Sequence, residues 1–387
     1  MRQKIARAAG VLLCLLLCAG CGQGNDAGAV ETGTQAQVQT EIEKEMESEM
    51  ESEMESEMQS EAETEHVPVV TTVTVTATGD CALGSLSTHG YDGSFHSYYD
   101  KYGASFFFDN FRDVFAEDDL TLINLECVFS DSTNLVPKQF NIKGKMEYTQ
   151  ILTSNSVEAC SLGNNHIVDY GEEGVADTKA CLEDAGVAYA YNDIIAYHTT
   201  EEGMVIAIVS ASMIYEPNDR QYVLDGVKEA REQGVDLVIA CCHWGVELDH
   251  YPQDSQIELG HALIDAGADL VVGNHSHCLQ GMEAYKGKII CYSLGNFSFG
   301  GNRNPRIKDT AVFQQEFTFV DGILQADVNA RIIPTRISEH SDYNNFKPIM
   351  AEGEAAERII RDMNSYSEPF ESITFEEDGT LKLLESE

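Results

Sequence analysis

The hydrophobic pattern predicts strands from about residue 70 onward. Residues 73–78 alternate apolar side chains with threonine, which is the two-residue period of a strand with one buried face. The segments 120–125, 157–162 and 204–209 are short and rich in apolar residues, as is typical of strands in the interior of a sheet. The pattern therefore predicts four strands in the first half of this region.

Segments with helical spacing separate these strands. Apolar positions recur every three to four residues over 106–115, about 172–185 and about 222–233. The last two segments stop at Gly186 and Gly234, and glycine commonly ends a helix. Helices that alternate with apolar strands are typical of layered α/β folds, in which ligands bind beyond the carboxyl ends of the strands.

An internal echo strengthens this interpretation. Residues 234–242 and 267–274 each begin with glycine and continue as an apolar strand, and they lead to His243 and His275. The pattern predicts two buried strands that each deliver a histidine at the carboxyl end.

The alternation changes after residue 297. Two strands then follow each other, at about 311–320 and 323–333, which indicates a second sheet or an antiparallel edge. A short helix is expected over about 353–364, and we assign no chemistry to this end of the chain.

The first 20 residues have the pattern of a secretion signal. Three basic residues precede an apolar run at 11–17, which is too short for the ~20 residues that span a bilayer. Cys21 follows Ala-Gly and resembles the lipidated cysteine of a bacterial lipoprotein box, although Cys18 stands where leucine is usual. We expect a lipid-anchored, extracytoplasmic protein of a bacterial membrane. Plain cleavage and release is the alternative.

The acidic and polar composition of residues 21–66 predicts a solvated spacer. Glu-Ser-Glu-Met repeats from Glu47 to Met58, and like charges four residues apart disfavour a helix, so partial helix is the weaker alternative. Much of the net charge of -41 lies here. The charge argues against nucleic acid and anionic lipid as partners and says little about the folded domain.

The eleven cysteines do not predict a disulfide framework. Three lie within the first 21 residues, and the others sit in hydrophobic patterns without Cys-x-x-Cys spacing. Buried free thiols are therefore favoured over a zinc cluster or disulfides.

Seven polar residues follow the predicted strands, and together they indicate a metal site. They are Asp80, Glu126, Asn165, His166, His243, His275 and His277. One such residue alone is more often a cap or a structural side chain. Seven of them at successive strand ends offer the oxygen and imidazole donors that suit one or two divalent ions, Mn, Fe or Zn. His166 directly follows a presumed ligand and would lie close enough to protonate a leaving oxygen.

Six motifs in order over about residues 70–335 carry a family resemblance. They are Gly79-Asp80, Asn124-Leu-Glu126, Asn164-Asn-His-Ile-Val-Asp-Tyr-Gly171, His243-Trp-Gly-Val-Glu247, Gly273-Asn-His-Ser-His277 and Tyr292-Ser-Leu-Gly-Asn-Phe297. In these the chain resembles the bacterial capsule-synthesis CapA, or poly-γ-glutamate biosynthesis, family of the calcineurin-like metallophosphoesterase superfamily. The resemblance implies an α/β fold, a layered β-sandwich flanked by helices, over residues 67–335, with 336–387 as a C-terminal extension.

The resemblance also implies roles by position. Asp80 and His277 would serve one metal ion. Asn165, His243 and His275 would serve a second, with Glu126 bridging the two. His166 matches the leaving-group acid of the superfamily.

The motifs depart from the superfamily at three positions. Ala82 stands where a ligand histidine is usual, the bridging residue is Glu126 in place of aspartate, and Asn274 stands where a second histidine is frequent. One metal ion is therefore expected to bind weakly or not at all.

Neighbouring residues have two readings each. Asn124 is expected beside the ligands, and Glu247 either orients His243 or is a plain surface charge. Trp244 either forms the base of the metal site or covers the end of the hydrophobic core. Asp169 is expected to fix the loop after His166 rather than to bind metal.

Two functions from different classes follow. One is a metal-dependent hydrolase of phosphate esters or of a related bond in a cell-surface polymer. The other is a non-catalytic, metal-stabilised component of capsule or poly-γ-glutamate synthesis or export, which binds an anionic polymer or membrane polymer-synthase subunits. A plain surface-binding lipoprotein would leave the histidines unexplained.

Overall fold

The computed structural model describes residues 66–214 and 219–384. The predicted signal sequence, Cys21 and all but the last residue of the predicted spacer lie outside these residues. Pro68–Glu387 form one unit, and this unit includes the segment predicted as a C-terminal extension. Within the described part of the chain, no helix combines the length and the apolarity that a bilayer span requires.

The described residues form seven α-helices and twenty strands. The helices are α1 (Phe95–Tyr102), α2 (Arg112–Ala116), α3 (Thr149–Thr153), α4 (Gly171–Ala185), α5 (Asp219–Glu232), α6 (Asp254–Ala266) and α7 (Glu354–Ser367). The strands are β1 (Val70–Ala82), β2 (Ser85–Leu86), β3 (Leu120–Leu125), β4 (Val128–Phe129), β5 (Ile142–Gly144), β6 (Ala159–Ser161), β7 (Ala188–Ala190), β8 (Ala196–Thr199), β9 (Val205–Ser212), β10 (Leu237–His243), β11 (Leu270–Asn274), β12 (Met282–Tyr285), β13 (Lys288–Cys291), β14 (Asn296–Phe299), β15 (Asp309–Val320), β16 (Ile323–Leu324), β17 (Asn329–Arg336), β18 (Ile349–Met350), β19 (Ile373–Phe375) and β20 (Leu381–Leu383).

Two large sheets organise the fold. Sheet I has the order β18-β17-β15-β1-β3-β6-β7, with β14 also paired to β1 and β16 to β15. Sheet II has the order β12-β13-β11-β10-β9-β8. The strands β1, β3, β6 and β7 run parallel to one another, as do β9, β10, β11 and β13.

The sheets pack face to face because each strand alternates its side chains between two apolar surroundings. In β10, Leu237 and Ile239 join Val73 and Val75 of β1 in one buried cluster. Val238 and the other outward residues of β10 instead pack against α5 and α6. The period of two thus places one core between the sheets and another beneath the helices. The predicted layered α/β sandwich flanked by helices is confirmed.

The predicted helix ends are confirmed where glycine supplies them. Gly186 follows α4 with a φ of 72°, and its amide donates to the carbonyls of Leu182 and Glu183. Gly234 follows α5 and also has a positive φ, 74°. Glycine adopts this left-handed conformation at low cost and closes the last helical turn.

The single helix predicted over 106–115 is wrong. The chain forms two 3₁₀ turns, Ala104–Phe106 and Asp109–Phe111, before α2. Phe107 and Phe108 lie between the two turns. Both side chains are buried.

The C-terminal third also refines the prediction. The strand expected over 323–333 divides into β16 and β17, and both β15 and β17 extend sheet I by antiparallel pairing. The antiparallel edge is thus confirmed, and the alternative of a second sheet is wrong. Helix α7 buries Ile359 and Met363 in the core between the sheets.

The eight cysteines of the described region are free and buried. This confirms the expectation of free thiols for that part of the chain. Burial raises the pKa of these thiols, to about 12 for Cys81 and Cys241, so they stay protonated.

Replacing Gly273 with alanine is expected to lower the free energy of unfolding by about 1–3 kcal/mol. A Cβ atom at Gly273 in β11 would clash with the carbonyl of Tyr292 and with the Trp244 ring. Urea denaturation measures the change. The control is Gly90→Ala, because a Cβ atom there would meet nothing within 4 Å. Equal stability of the two variants would contradict close packing at this strand.

Candidate metal centre

The carboxyl ends of parallel strands from both sheets meet at one edge. In register, Asp80 of β1 pairs with Asn124 of β3, and His243 of β10 pairs with Asn274 of β11. Glu126 follows β3 directly. The two sheets therefore present their polar strand ends to each other, as expected for parallel strands.

Two overlapping groups of potential metal ligands lie at this edge. Asp80, Glu126 and His277 form one group, in which the ligand atoms all lie within 4.8 Å of one another. Glu126, His243 and His275 form the other group by the same measure. Glu126 belongs to both, which is the position that a bridging ligand would hold.

The Glu126 carboxylate has the surroundings of a metal ligand. Its side chain is fully buried, and neither of its oxygens has a hydrogen-bond partner among the described residues. Burial, and then the charge of Asp80, raise its pKa well above the usual value. A buried carboxylate without hydrogen bonds is costly, so a divalent cation fits this position.

Two of the histidines are held neutral. Burial lowers the pKa of His243 well below its usual value. Burial and the neighbouring His277 lower the pKa of His275 to about 4. The Nδ1 atom of His275 lies 3.1 Å from Nε2 of His243. Neutral imidazoles with converging nitrogens are suited to bind metal.

His277 behaves differently because carboxylates surround it. Its Nδ1 atom lies 3.1 Å from Oδ2 of Asp80, and its Nε2 atom lies 3.8 Å from Oε1 of Glu126. Although burial opposes protonation, these charges raise the pKa of His277 to about 10. The cluster without metal therefore retains protons that a cation would displace.

Asn165 and His166 complete the edge from the loop after β6. Oδ1 of Asn165 lies 2.9 Å from Nε2 of His243, so its amide oxygen faces the second ligand group. Nδ1 of His166 lies 2.7 Å from Oδ2 of Asp169, and its Nε2 lies 3.9 Å from Oε1 of Glu126. Asp169 thus orients the ring with Nε2 toward the cluster.

The protonation of His166 is set by opposing effects. Burial lowers its pKa, and this outweighs the hydrogen bond and charge of Asp169, which raise it. Asp169 also accepts from the amide of Ile142 at 2.6 Å. Asp169 therefore fixes the loop after His166, as its sequence position suggests.

The backbone at two candidate ligands is unusual. His275 and His277 have positive φ values, 97° and 54°, in a region that residues with a Cβ atom adopt at a cost. Such conformations concentrate at functional sites, where the surrounding fold holds them. Here the residues in this conformation are the two histidines whose ring nitrogens lie within 4.8 Å of a Glu126 oxygen.

Of the residues next to the candidate ligands, Asn124 contacts the site and Trp244 belongs to the core. Asn124 donates to Oδ1 of Asp80 at 2.8 Å and lies 3.3 Å from Nδ1 of His243, so it joins the two sheets. Trp244 donates to the carbonyl of Tyr292 and belongs to the core beneath the helices. Trp244 therefore covers the end of this core and does not form the base of the metal site.

Glu247 does not contact His243. The chain turns outward at Gly245, where φ is 87°, and Glu247 is exposed. The side-chain contacts of both His243 nitrogens in the described region are made by other residues, Asn124, Asn165 and His275 among them. The interpretation of Glu247 as the orienting partner is therefore wrong in this geometry, although its charge still raises the pKa of Glu126.

Ala82 and Asn274, two of the departures from the superfamily motifs, are both buried. Ala82 is fully buried in the core between sheet I and its helices, so it leaves Asp80 without a histidine partner from the same strand. Nδ2 of Asn274 is buried without a hydrogen-bond partner among the described residues.

Sequence reasoning missed Lys138, and it placed Asn296 in a motif without giving the residue a role. The Lys138 ammonium pairs with Asp169 and donates to the carbonyl of Asn165 at 2.9 Å. Oδ1 of Asn296 lies 3.0 Å from Nδ1 of His277. Lys138 sits in an irregular loop and no local pattern marks it, whereas Asn296 directly precedes Phe297 in one of the six motifs.

The comparisons with known proteins identify relatives over most of the described domain. Residues 74–301 match the family model "Bacterial capsule synthesis protein PGA_cap". The PGA biosynthesis protein CapA of Bacillus subtilis (strain 168) is 30% identical over 55% of this chain and 61% of its own length. The capsule biosynthesis protein CapA of Bacillus anthracis is 28% identical over 62% of this chain and 63% of its own length. The chain thus spans under two thirds of these relatives.

One solved structure is more distant. Purple acid phosphatase PPD1 from yellow lupin (Lupinus luteus) seeds has 11% sequence identity and a TM-score of 0.35, and the match covers 74% of this chain and 55% of that chain. The score is too low to support a shared fold or a shared activity.

Metal binding is expected to release protons, so the apparent affinity for Mn²⁺ should rise with pH. His277 has a raised pKa and is protonated at pH 7, and a proton competes with the cation. For each proton displaced, affinity should increase about tenfold per pH unit between pH 6 and pH 8. Titration calorimetry in buffers with different ionisation enthalpies measures the released protons.

A matched pair of variants tests the same site. Glu126→Gln should weaken Mn²⁺ binding by at least about tenfold, whereas Glu258→Gln, at an exposed position of α6, should change it by less than about twofold. Equal effects of the two substitutions, or an affinity independent of pH, would contradict the assignment.

Proposed function

The chain belongs to the bacterial capsule synthesis protein PGA_cap family, and from this membership and its buried ligand groups we propose that it is a metal-dependent hydrolase of the phosphoesterase type. We propose that it acts in the synthesis or export of an anionic cell-surface polymer. The observation that carries the proposal is the buried Glu126 carboxylate, which accepts no hydrogen bond within the described region and is shared by the two ligand groups.

The proposed ligands are those that the strand ends bring together. Asp80 and His277 would hold one divalent ion, and His243, His275 and Asn165 a second, with Glu126 between them. Mn, Fe and Zn suit this set of oxygen and imidazole donors. A bound ion would supply Lewis-acid activation of a phosphoryl group.

His166 is proposed to hold the proton that a leaving oxygen requires. Asp169 accepts from Nδ1, so the proton available for transfer sits on Nε2, which faces Glu126. Because burial lowers the pKa of His166, its acid form is populated mainly on the acidic side of neutrality. Lys138 and Asp169 hold this loop in place.

A non-catalytic role is the second candidate, and Ala82 favours it. With no histidine beside Asp80 in β1, the first ligand group rests on Asp80, Glu126 and His277. If that group binds its ion too weakly to act on substrate, the second would stabilise the fold, and the domain would bind polymer or membrane polymer-synthase subunits.

Location at the cell surface is part of the proposal. It rests on the basic and apolar pattern of residues 1–20 and on Cys21 after Ala-Gly. One lipid chain gives reversible membrane affinity, and further chains make the anchor stable.

The purified full-length chain in Mn²⁺ is expected to hydrolyse a generic phosphodiester, bis-p-nitrophenyl phosphate. His166→Ala should lower kcat by about 10²–10⁴-fold, the usual contribution of a general acid. Its metal content should stay unchanged, because Nε2 of His166 is a proton donor in this proposal. Product absorbance and elemental analysis measure the two effects.

His340→Ala is the matched control, since Nε2 of this histidine lies 3.2 Å from Oε1 of Glu339 and the residue lies outside both ligand groups. It should retain full activity. Protein that carries metal yet stays inert with Mn, Zn, Fe and Mg would refute the hydrolase and leave the non-catalytic candidate.

The lipid anchor has its own test. Cys21→Ala should move the protein from the membrane fraction to the soluble fraction, because the thiol that would carry the lipid is removed. Cys14→Ala is the control and should stay in the membrane. Cell fractionation with immunoblotting reads the outcome, and a Cys21→Ala chain that is cleaved but still membrane-bound would contradict the anchor.

A further inference from the structure

A cavity lies beside the metal centre. Its volume is about 360 Å³, and its lining includes His250, Leu279 and Lys308. Leu279 comes two residues after His277, and Nδ1 of His250 lies 2.8 Å from the Leu279 carbonyl oxygen. The cavity thus shares a wall with the loop that carries a candidate metal ligand.

The cationic side chains of the cavity lack full neutralisation. Arg306 is exposed and has no hydrogen-bond or ion-pair partner among the described residues. Nζ of Lys308 donates to the neutral oxygens of Asn304 and Pro305. Burial and the charge of Arg336 lower the pKa of Lys308, and these effects outweigh the charge of Asp342, which raises it.

The two carboxylates of the cavity are engaged by other cations. Asp309 accepts two hydrogen bonds from Arg358, at 2.8 and 3.0 Å, whereas Nε of Arg336 lies 3.9 Å away and is buried without a hydrogen bond in the described region. Asp362 pairs with Arg361. With Arg358 and Arg361 counted, the cations Arg306, Lys308 and Arg336 outnumber the carboxylates of Asp309, Asp342 and Asp362 at the cavity.

This charge is unusual for the chain. The protein has 65 acidic and 24 basic residues, so most of its surface repels anions. A cavity of opposite sign focuses the local field and selects anionic groups. Arginine and lysine together suit carboxylate and phosphate oxygens.

We propose that the cavity formed by Arg306, Lys308 and Arg336 is a second anion-binding subsite. It holds a carboxylate or phosphate group of an extended anionic substrate while another part of the same molecule lies at the metal centre. The inference rests on the proposed anionic polymer substrate, but it does not require hydrolysis.

Binding of fluorescently labelled hexaglutamate to the full chain tests this subsite. Arg306→Gln and Lys308→Gln are each expected to weaken binding about threefold to tenfold, and added NaCl should weaken it further. Lys228→Gln is the control, because it removes one exposed positive charge from α5 and should leave the affinity unchanged. Fluorescence anisotropy measures all three variants.

Competition distinguishes the two anion chemistries. Displacement of the peptide by glutarate but not by inorganic phosphate assigns a carboxylate subsite, and the reverse assigns a phosphate subsite. Either result supports the proposal provided that Arg306→Gln weakens the competitor as well.

Three results would overturn the proposal. The first is no measurable hexaglutamate binding, and the second is equal affinity of all three variants. The third is binding that is lost when a chelator removes the metal but is unchanged by Arg306→Gln. The last would place the anion at the metal centre alone. His166→Ala keeps the two proposals apart, because it should lower the rate of phosphodiester hydrolysis by about 10²–10⁴-fold and retain hexaglutamate binding.

Discussion

The structure depends on the cost of burying the Glu126 carboxylate. A carboxylate removed from water without hydrogen bonds is strongly unfavourable, yet Glu126 is fully buried and neither of its oxygens accepts a hydrogen bond within the described region. The surrounding side chains are arranged around this cost. Neutral His243 and His275 face it on one side, and Asp80 with protonated His277 faces it on the other. A divalent cation would therefore offset the burial cost of all these groups at once. Without such a cation, a buried cluster of this kind is unfavourable in an otherwise apolar core.

The two-sheet architecture makes this arrangement possible. Glu126 and Asp80 come from sheet I, and His243 comes from sheet II, so each ligand group needs both sheets. Asn124 contacts a residue of each sheet and fixes their relative position at this edge. The positive φ values of His275 and His277 show that the loop after β11 is held in a costly conformation. Precise placement of the ligands is thus supported by the same packing that stabilises the sandwich.

The sequence predicts the strands and the polar residues at their ends because both follow from short-range pattern. Residues 120–125 form β3, and the glycine-terminated helix over about 172–185 is α4. The seven strand-end residues come together because parallel strands end at one edge. The hydrophobic and polar pattern could not predict contacts between residues that are far apart in the sequence. Lys138 reaches Asp169 and Asn165 from an irregular loop, and the outward turn at Gly245 that exposes Glu247 is a matter of backbone conformation.

The eight buried thiols have a consequence for experiments on this fold. A protonated thiol enclosed by packed side chains reacts with a labelling reagent only when the surrounding structure opens. Cys160 lies in β6 beneath the helices, Cys241 between the sheets and Cys278 next to His277. Their labelling rates would therefore report separately on the opening of each layer and of the loop at the site. The chain carries its own set of position-resolved reporters, with no cysteine to be introduced.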